Sequence, residues 1–125
     1  MLSDTDVLIW CLRGNLIAAT AIAALPKRVI SQITRMKLIV GCRSKSEISL
    51  LKRFLAEEGF QVIPLSPKIG IMADLWLEEK NLRHGIGLAD ALIAATASSL
   101  GLPLLTAKAK HFRCFPELEV KRFTP

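Results

Sequence analysis

The sequence has no tyrosine, only two histidines and only three cysteines, and each scarcity removes a class of chemistry. Cys11, Cys42 and Cys114 are an odd set without CxxC spacing, so neither a disulfide framework nor a zinc site follows from them. Reduced thiols in a cytosol fit best. His84 and His111 lie far apart and make no HxxxH ligand pair. With aromatics at 6%, base stacking would fall to Phe112, Trp10 or Trp76, which suit a core better. Long apolar runs are also missing. The longest, Leu16 to Leu25, is shorter than the roughly 20 residues that span a bilayer. The start carries Asp4 and Asp6 where a signal peptide would be basic. The expectation is a soluble, cytoplasmic protein without a membrane partner.

What is present points to a folded domain. The 125 residues suit one domain, 1–125, and 51% hydrophobic against 22% charged residues is a globular balance. A net charge of +6 leans toward an anionic partner such as nucleic acid, although an ordinary basic surface gives the same count. Arg13, Arg35, Lys52, Lys108, Lys110 and Arg113 are among the basic residues, spread over several segments.

Short apolar runs alternate with helical patterns. Before Val7-Leu8-Ile9-Trp10, a strand ends or a helix begins close to Asp4. Asn15 caps a helix that Pro26 stops, and Ser31 caps another to about Cys42. Val29-Ile30 and Phe60 to Ile63 read as strands, Lys45 to Glu58 and Pro67 to about Leu82 as helices. Leu88 to Leu100 is apolar on nearly every side and is expected to be a buried helix. Leu104-Leu105, a helical turn over 107–112 and a last strand at Leu118 to Val120 complete the chain. This order implies an α/β fold, a mainly parallel central sheet with helices on both faces.

In such sheets, ligands bind beyond the carboxyl ends of the strands. Asp4 and Asp6 sit where the first segment ends, and Asp90 sits in the first turn of the buried helix. An acid there is also what a capped helix start would carry, so Asp90 alone decides nothing. Together the acids would converge at one sheet edge. Clustered carboxylates repel unless a cation neutralises them, and oxygen-only donors suit Mg²⁺ or Mn²⁺.

The run Leu2-Ser3-Asp4-Thr5-Asp6-Val7-Leu8-Ile9, with Leu12-Arg13-Gly14-Asn15, resembles the opening of PIN-domain toxins of the VapC type. The stretch Ile30 to Met36, followed by Leu38-Ile39-Val40-Gly41, is similar to their second motif. Gly85-Ile86-Gly87-Leu88-Ala89-Asp90-Ala91-Leu92 resembles the third, the most specific, and Leu100 to Thr106 runs into the fourth. The resemblance implies a PIN fold and a metal-dependent ribonuclease, with RNA as substrate, a small antitoxin as partner and a homodimeric state. It implies catalytic and metal-binding roles for Asp4 and Asp90, a metal role for Asp6, and supporting roles for Thr5 and Thr106. Attack of activated water on an RNA phosphodiester would follow.

Two positions depart from the family pattern. Lys37 stands where the second motif carries a glutamate, and Lys108 where the fourth carries Asp or Asn. An ammonium donates hydrogen bonds and cannot ligate a metal while charged. Ile33, Met36, Lys37 and Val40 form a helical stripe, which predicts that Lys37 points inward and pairs with Asp4 or Asp90 in place of a metal ion. Alternatively its stem snorkels to the surface. Asp74 is a further acid that would compensate for a lost ligand. Two functional readings follow: a working nuclease with a reduced ligand set, or an inactive PIN-like protein that binds RNA or antitoxin without cutting. A dinucleotide-binding domain is a poor third, since Gly85 and Gly87 lack the third glycine of GxGxxG.

Overall fold

Small polar residues write most of the helix starts. In a computed structural model that describes residues 1–125, the side chains of Asp4, Asn15, Ser31, Ser44 and Ser66 each accept from a backbone N–H of the helix that follows. These caps satisfy donors that the first turn leaves without partners. They open α1 (Thr5–Leu12), α2 (Leu16–Ala23), α3 (Gln32–Val40), α4 (Lys45–Glu57) and α5 (Pro67–His84). Pro67 supplies a φ suited to the first turn of α5, and Gly85 ends that helix in the left-handed region at φ 64°.

The strands are short: β1 (Leu2–Ser3), β2 (Arg28–Ser31), β3 (Phe60–Ile63), β4 (Leu104–Thr106) and β5 (Val120–Arg122). They form one parallel sheet in the order β3-β2-β1-β4-β5. The two-residue β1 is held at its centre because Leu2 N–H donates to the Pro103 carbonyl and Asp4 N–H to the Leu105 carbonyl, both at 2.8 Å.

Strand alternation divides the core between two faces. Leu2, Val29 and Leu104 point to one face and pack with α5, with α6 (Leu88–Ser99) and with Phe112 and Phe115. Ile30 and Leu105 point to the other, the first packing with α1, α3 and α4 side chains, the second with Val7, Ala18, Ile22 and Phe123. Helices therefore cover both faces, as expected. Ala91, Ile93, Ala94, Ala95 and Ala97 of α6 are fully buried, which makes α6 the central helix of its layer.

One boundary differs from expectation. The last strand is Val120–Arg122, not Leu118 to Val120. Leu118 is buried in the core by a turn, while β5 is an edge strand with exposed Lys121 and Arg122. Apolar content marked the anchor residue there; the edge strand carries charges that solvent accepts. The open choice at Asp4 resolves into both alternatives: β1 ends at Ser3, Asp4 caps, and α1 begins at Thr5.

Candidate active site

Because the sheet is parallel, β1 and β4 end at the same edge, and their last residues deliver the site. Asp4 follows β1 directly and is 1% exposed. Its Oδ1 accepts from Thr5 N–H and its Oδ2 from the Thr106 hydroxyl, both at 2.8 Å. Thr106 ends β4 and is fully buried. Asp6, in the first turn of α1, accepts from Ala107 N–H at 3.1 Å through Oδ2, which also lies 3.4 Å from the Thr106 hydroxyl. Its Oδ1 is buried without a hydrogen-bond partner. Asp90 comes from the first turn of α6, whose start at Gly87 has no side-chain cap.

Lys108 ties the third acid to the other two. Its Nζ lies 3.3 Å from Asp90 Oδ1, and its backbone N–H donates to the Thr106 hydroxyl at 3.0 Å. The charges are strongly coupled. Burial raises the Asp4 carboxyl above the ordinary aspartate value, although Lys108 and the hydrogen bonds from Thr106 and Thr5 oppose the rise. Asp6 is pushed up to about 6, first by burial and then by the charge of Asp4. Burial works against the Lys108 ammonium, but Asp4, Asp90 and Asp6 together outweigh it, and its pKa ends above that of an ordinary lysine.

Lys37 does not reach this site, which corrects the expectation of an ion pair with Asp4 or Asp90. The buried residues of α3 are Thr34 and Leu38; Met36 is 41% and Val40 84% exposed, and Lys37 is exposed beside them. The buried stripe of α3 is rotated from the one that apolar spacing predicts, because that spacing favours Met36 and Val40 over the hydroxyl of Thr34. That hydroxyl is itself buried, 3.0 Å from the Thr5 hydroxyl. Thr34 was thus a missed support of the cluster, and its signal was Ser31-x-x-Thr34 at helical spacing. Thr5 contributes its backbone N–H to Asp4, and Thr106 its hydroxyl. Asp74 is exposed on α5 and makes none of the ion pairs.

The side chains as they stand form no ready metal site. No three acidic, histidine or cysteine side chains stand close enough to form a metal-ligand group. Both Asp4 oxygens already have donors, while Asp6 Oδ1 has none, and one Asp90 oxygen is taken by Lys108. An oxygen-seeking ion would therefore need the ammonium to leave Asp90 and the carboxylates of Asp4, Asp6 and Asp90 to draw together. Burial pushes the Cys11 and Cys114 thiols upward, away from thiolate.

Two surfaces flank the acids. A cavity of about 260 Å³ has Lys108, Lys110, His111, Arg113 and Arg122 in its lining. A neighbouring one of about 330 Å³ shares Lys110, His111 and Arg113 and adds His84. Neither has an acidic lining residue, a setting for phosphate. The largest cavity, about 680 Å³, contains none of the three aspartates: Ile9, Leu12, Leu38 and Leu50 line it, with Arg13 and Lys37 beside them. The aromatic residues stay mostly in packing roles, Phe112 fully buried and Trp76 against Phe115 at 4.7 Å, with Trp10 37% exposed.

Residues 1–114 match the family model of the PIN domain. The chain is 36% identical over 123 residues to Ribonuclease VapC10 of Mycobacterium tuberculosis, covering 95% of this chain and 90% of that one. It is 32% identical over 123 residues to Ribonuclease VapC19 of the same organism, covering 94% and 96%. A solved toxin-antitoxin complex from Klebsiella pneumoniae contains a chain that aligns with a TM-score of 0.82 at 30% identity, covering 98% of this chain and 97% of that one.

Proposed function

The chain belongs to the PIN-domain family, and we propose that it is an endoribonuclease toxin of a toxin–antitoxin pair, dependent on Mg²⁺ or Mn²⁺. The observation that carries the reading is the meeting of Asp4, Asp6 and Asp90, from β1, α1 and α6, beside Thr106 and Lys108. Asp4, Asp6 and Asp90 would hold the ion. When bound, it would supply polarisation of the phosphodiester and easier deprotonation of the attacking water. Thr106 and Thr5 fix the Asp4 carboxylate in one orientation, and Ala107 N–H does the same for Asp6. Lys110, His111, Arg113 and Arg122 would carry RNA phosphates past the acids, adding affinity without reading sequence.

The surface supports two partner readings. The groove floored by Ile9, Leu12, Leu38 and Leu50 offers an antitoxin segment an apolar seat close to the acids' own helix. Leu16 and Ile17 on α2, Val40 on α3, and Leu82 and Leu88 around the α5–α6 turn are exposed, which supports a homodimer. No helix is long and apolar enough to cross a membrane, consistent with a cytoplasmic setting for such a pair.

The test is cleavage of end-labelled RNA by the purified chain with Mn²⁺ or with EDTA. Wild type should cut only with Mn²⁺, and Asp4→Asn should lose at least about a hundredfold in rate, since a metal-anchoring charge is worth several kcal/mol. The ion pair of Lys108 with Asp90 favours a second reading, an inactive PIN-like protein that binds RNA or antitoxin. RNA retention on the protein with no cleavage at any Mn²⁺ concentration would select it.

A further inference from the structure

We propose that Lys108 is a tethered counter-cation of the acid centre, a positioning residue that a divalent ion must displace from Asp90 before it can bind. The inference rests on reading Asp4, Asp6 and Asp90 as the reactive centre.

Three observations carry it. First, Lys108 Nζ lies 3.3 Å from Asp90 Oδ1 and donates a hydrogen bond to it, while its own backbone N–H is bound to Thr106, the residue that binds Asp4. Its reach is therefore set by the same hydroxyl that orients the acids. Second, it is the sole cation paired with any of the three aspartates. The other ion pairs are Arg28–Glu58, Arg43–Glu47, Lys80–Glu79 and Lys121–Glu119. Third, Asp4 is 1% exposed and Asp6 Oδ1 is buried without a partner, so the acids need positive charge from within the protein.

An ammonium and a metal ion compete for the same oxygen, because each needs the lone pairs of Asp90 Oδ1. The ammonium brings one charge on a flexible stem and can swing away; a divalent ion brings two. The pair is only part-buried, with the Lys108 side chain 37% and Asp90 16% exposed, so displacement into solvent is open to it. Lys108 would thus keep the carboxylates together without metal and set the concentration at which metal enters.

The experiment uses the full chain. Titration calorimetry with MnCl₂ compares wild type with Lys108→Gln, and melting in EDTA and in Mn²⁺ compares the same proteins. Lys108→Gln should bind Mn²⁺ about tenfold more tightly, or about 1.4 kcal/mol. It should melt lower than wild type in EDTA and recover with Mn²⁺. In wild type, Mn²⁺ should raise acetylation of Lys108 by an amine-reactive ester, read by mass spectrometry, and leave Lys37 unchanged. Equal Mn²⁺ affinity in both proteins, or no binding to either, would overturn the proposal. Should Lys108→Gln fail to fold, wild-type acetylation decides: labelling of Lys108 that ignores Mn²⁺ overturns it. RNA cleavage is scored separately. Equal Mn²⁺ affinity with cleavage by both removes the role of Lys108 and supports the nuclease. Tighter Mn²⁺ binding by Lys108→Gln with no cleavage by either supports displacement and overturns the nuclease.

Discussion

Lys37 and Lys108 both stand where the resemblance to PIN-domain toxins leads one to expect oxygen donors, and the regions around them differ sharply. Lys108 lies among Asp4, Asp6 and Asp90, where one cation faces one buried and two part-buried carboxylates. Lys37 lies on the exposed side of α3, on the wall of an apolar groove, with no ion pair. The same substitution chemistry, a cation for an oxygen ligand, is therefore structural in one place and nearly free in the other. What separates them is burial of the neighbours rather than the lysine itself.

That contrast can be broken most forcefully at its foundation. Phe112, the last residue of α7 (Ala109–Phe112), the turn that follows Lys108, is fully buried. Phe112→Ala should cost about 3–5 kcal/mol in urea unfolding, and should also loosen Lys108. A loss under about 1 kcal/mol would mean that the core does not hold the acid region in place.

Thr106→Val removes the hydroxyl shared by Asp4 and the Lys108 backbone while keeping the shape. The expected cost is about 1–3 kcal/mol, because buried partners lose their bonds. The matched change on the groove side, Cys42→Ala, removes a thiol that bonds only to the Leu38 carbonyl in the last turn of α3 and should cost less. Equal losses in the two variants would erase the distinction between the regions.

The pH dependence offers a finer test. Asp4 and Asp6 hold protons more tightly folded than unfolded, and for Asp6 the folded state binds more protons between the ordinary aspartate value and about 6. Stability measured in EDTA should thus fall as pH rises from about 4 through about 6, contrary to the usual carboxylate behaviour. Asp6→Asn should flatten that slope and gain stability at neutral pH relative to wild type. A wild-type curve that rises over this window would show that the acids are better compensated than their burial implies.

The smallest effect belongs to Lys37. Lys37→Ala should change stability by no more than about 0.5 kcal/mol and leave Mn²⁺ affinity untouched, as for an exposed side chain without a partner. A shift as large as that of Lys108→Gln would place Lys37 in the acid centre after all.

Much was legible in the residues because the signals are local. Asn15, Ser31, Gly85 and the apolar run after Leu88 mark element ends and the buried helix by rules that need no tertiary knowledge. Asp4 and Asp90 could be named from motifs whose spacing survives in the chain. The edge strand at Val120–Arg122 was hidden, since exposed charges there resemble a loop.

The sequence by itself determined the α/β order, the acids that the parallel strands bring to one edge, and the two cations at positions where oxygen is expected. Only the tertiary structure decided which cation counts. A helical face is fixed by rotation of about 100° per residue, so a small error in choosing the apolar stripe moves Lys37 from core to solvent. The buried stripe of α3 runs through Thr34 and Leu38, whose hydroxyl and methyl groups meet Thr5 and the α4 leucines. Lys108 reaches Asp90 across 18 residues because β4 and α6 meet at the sheet edge, a distance no local pattern encodes.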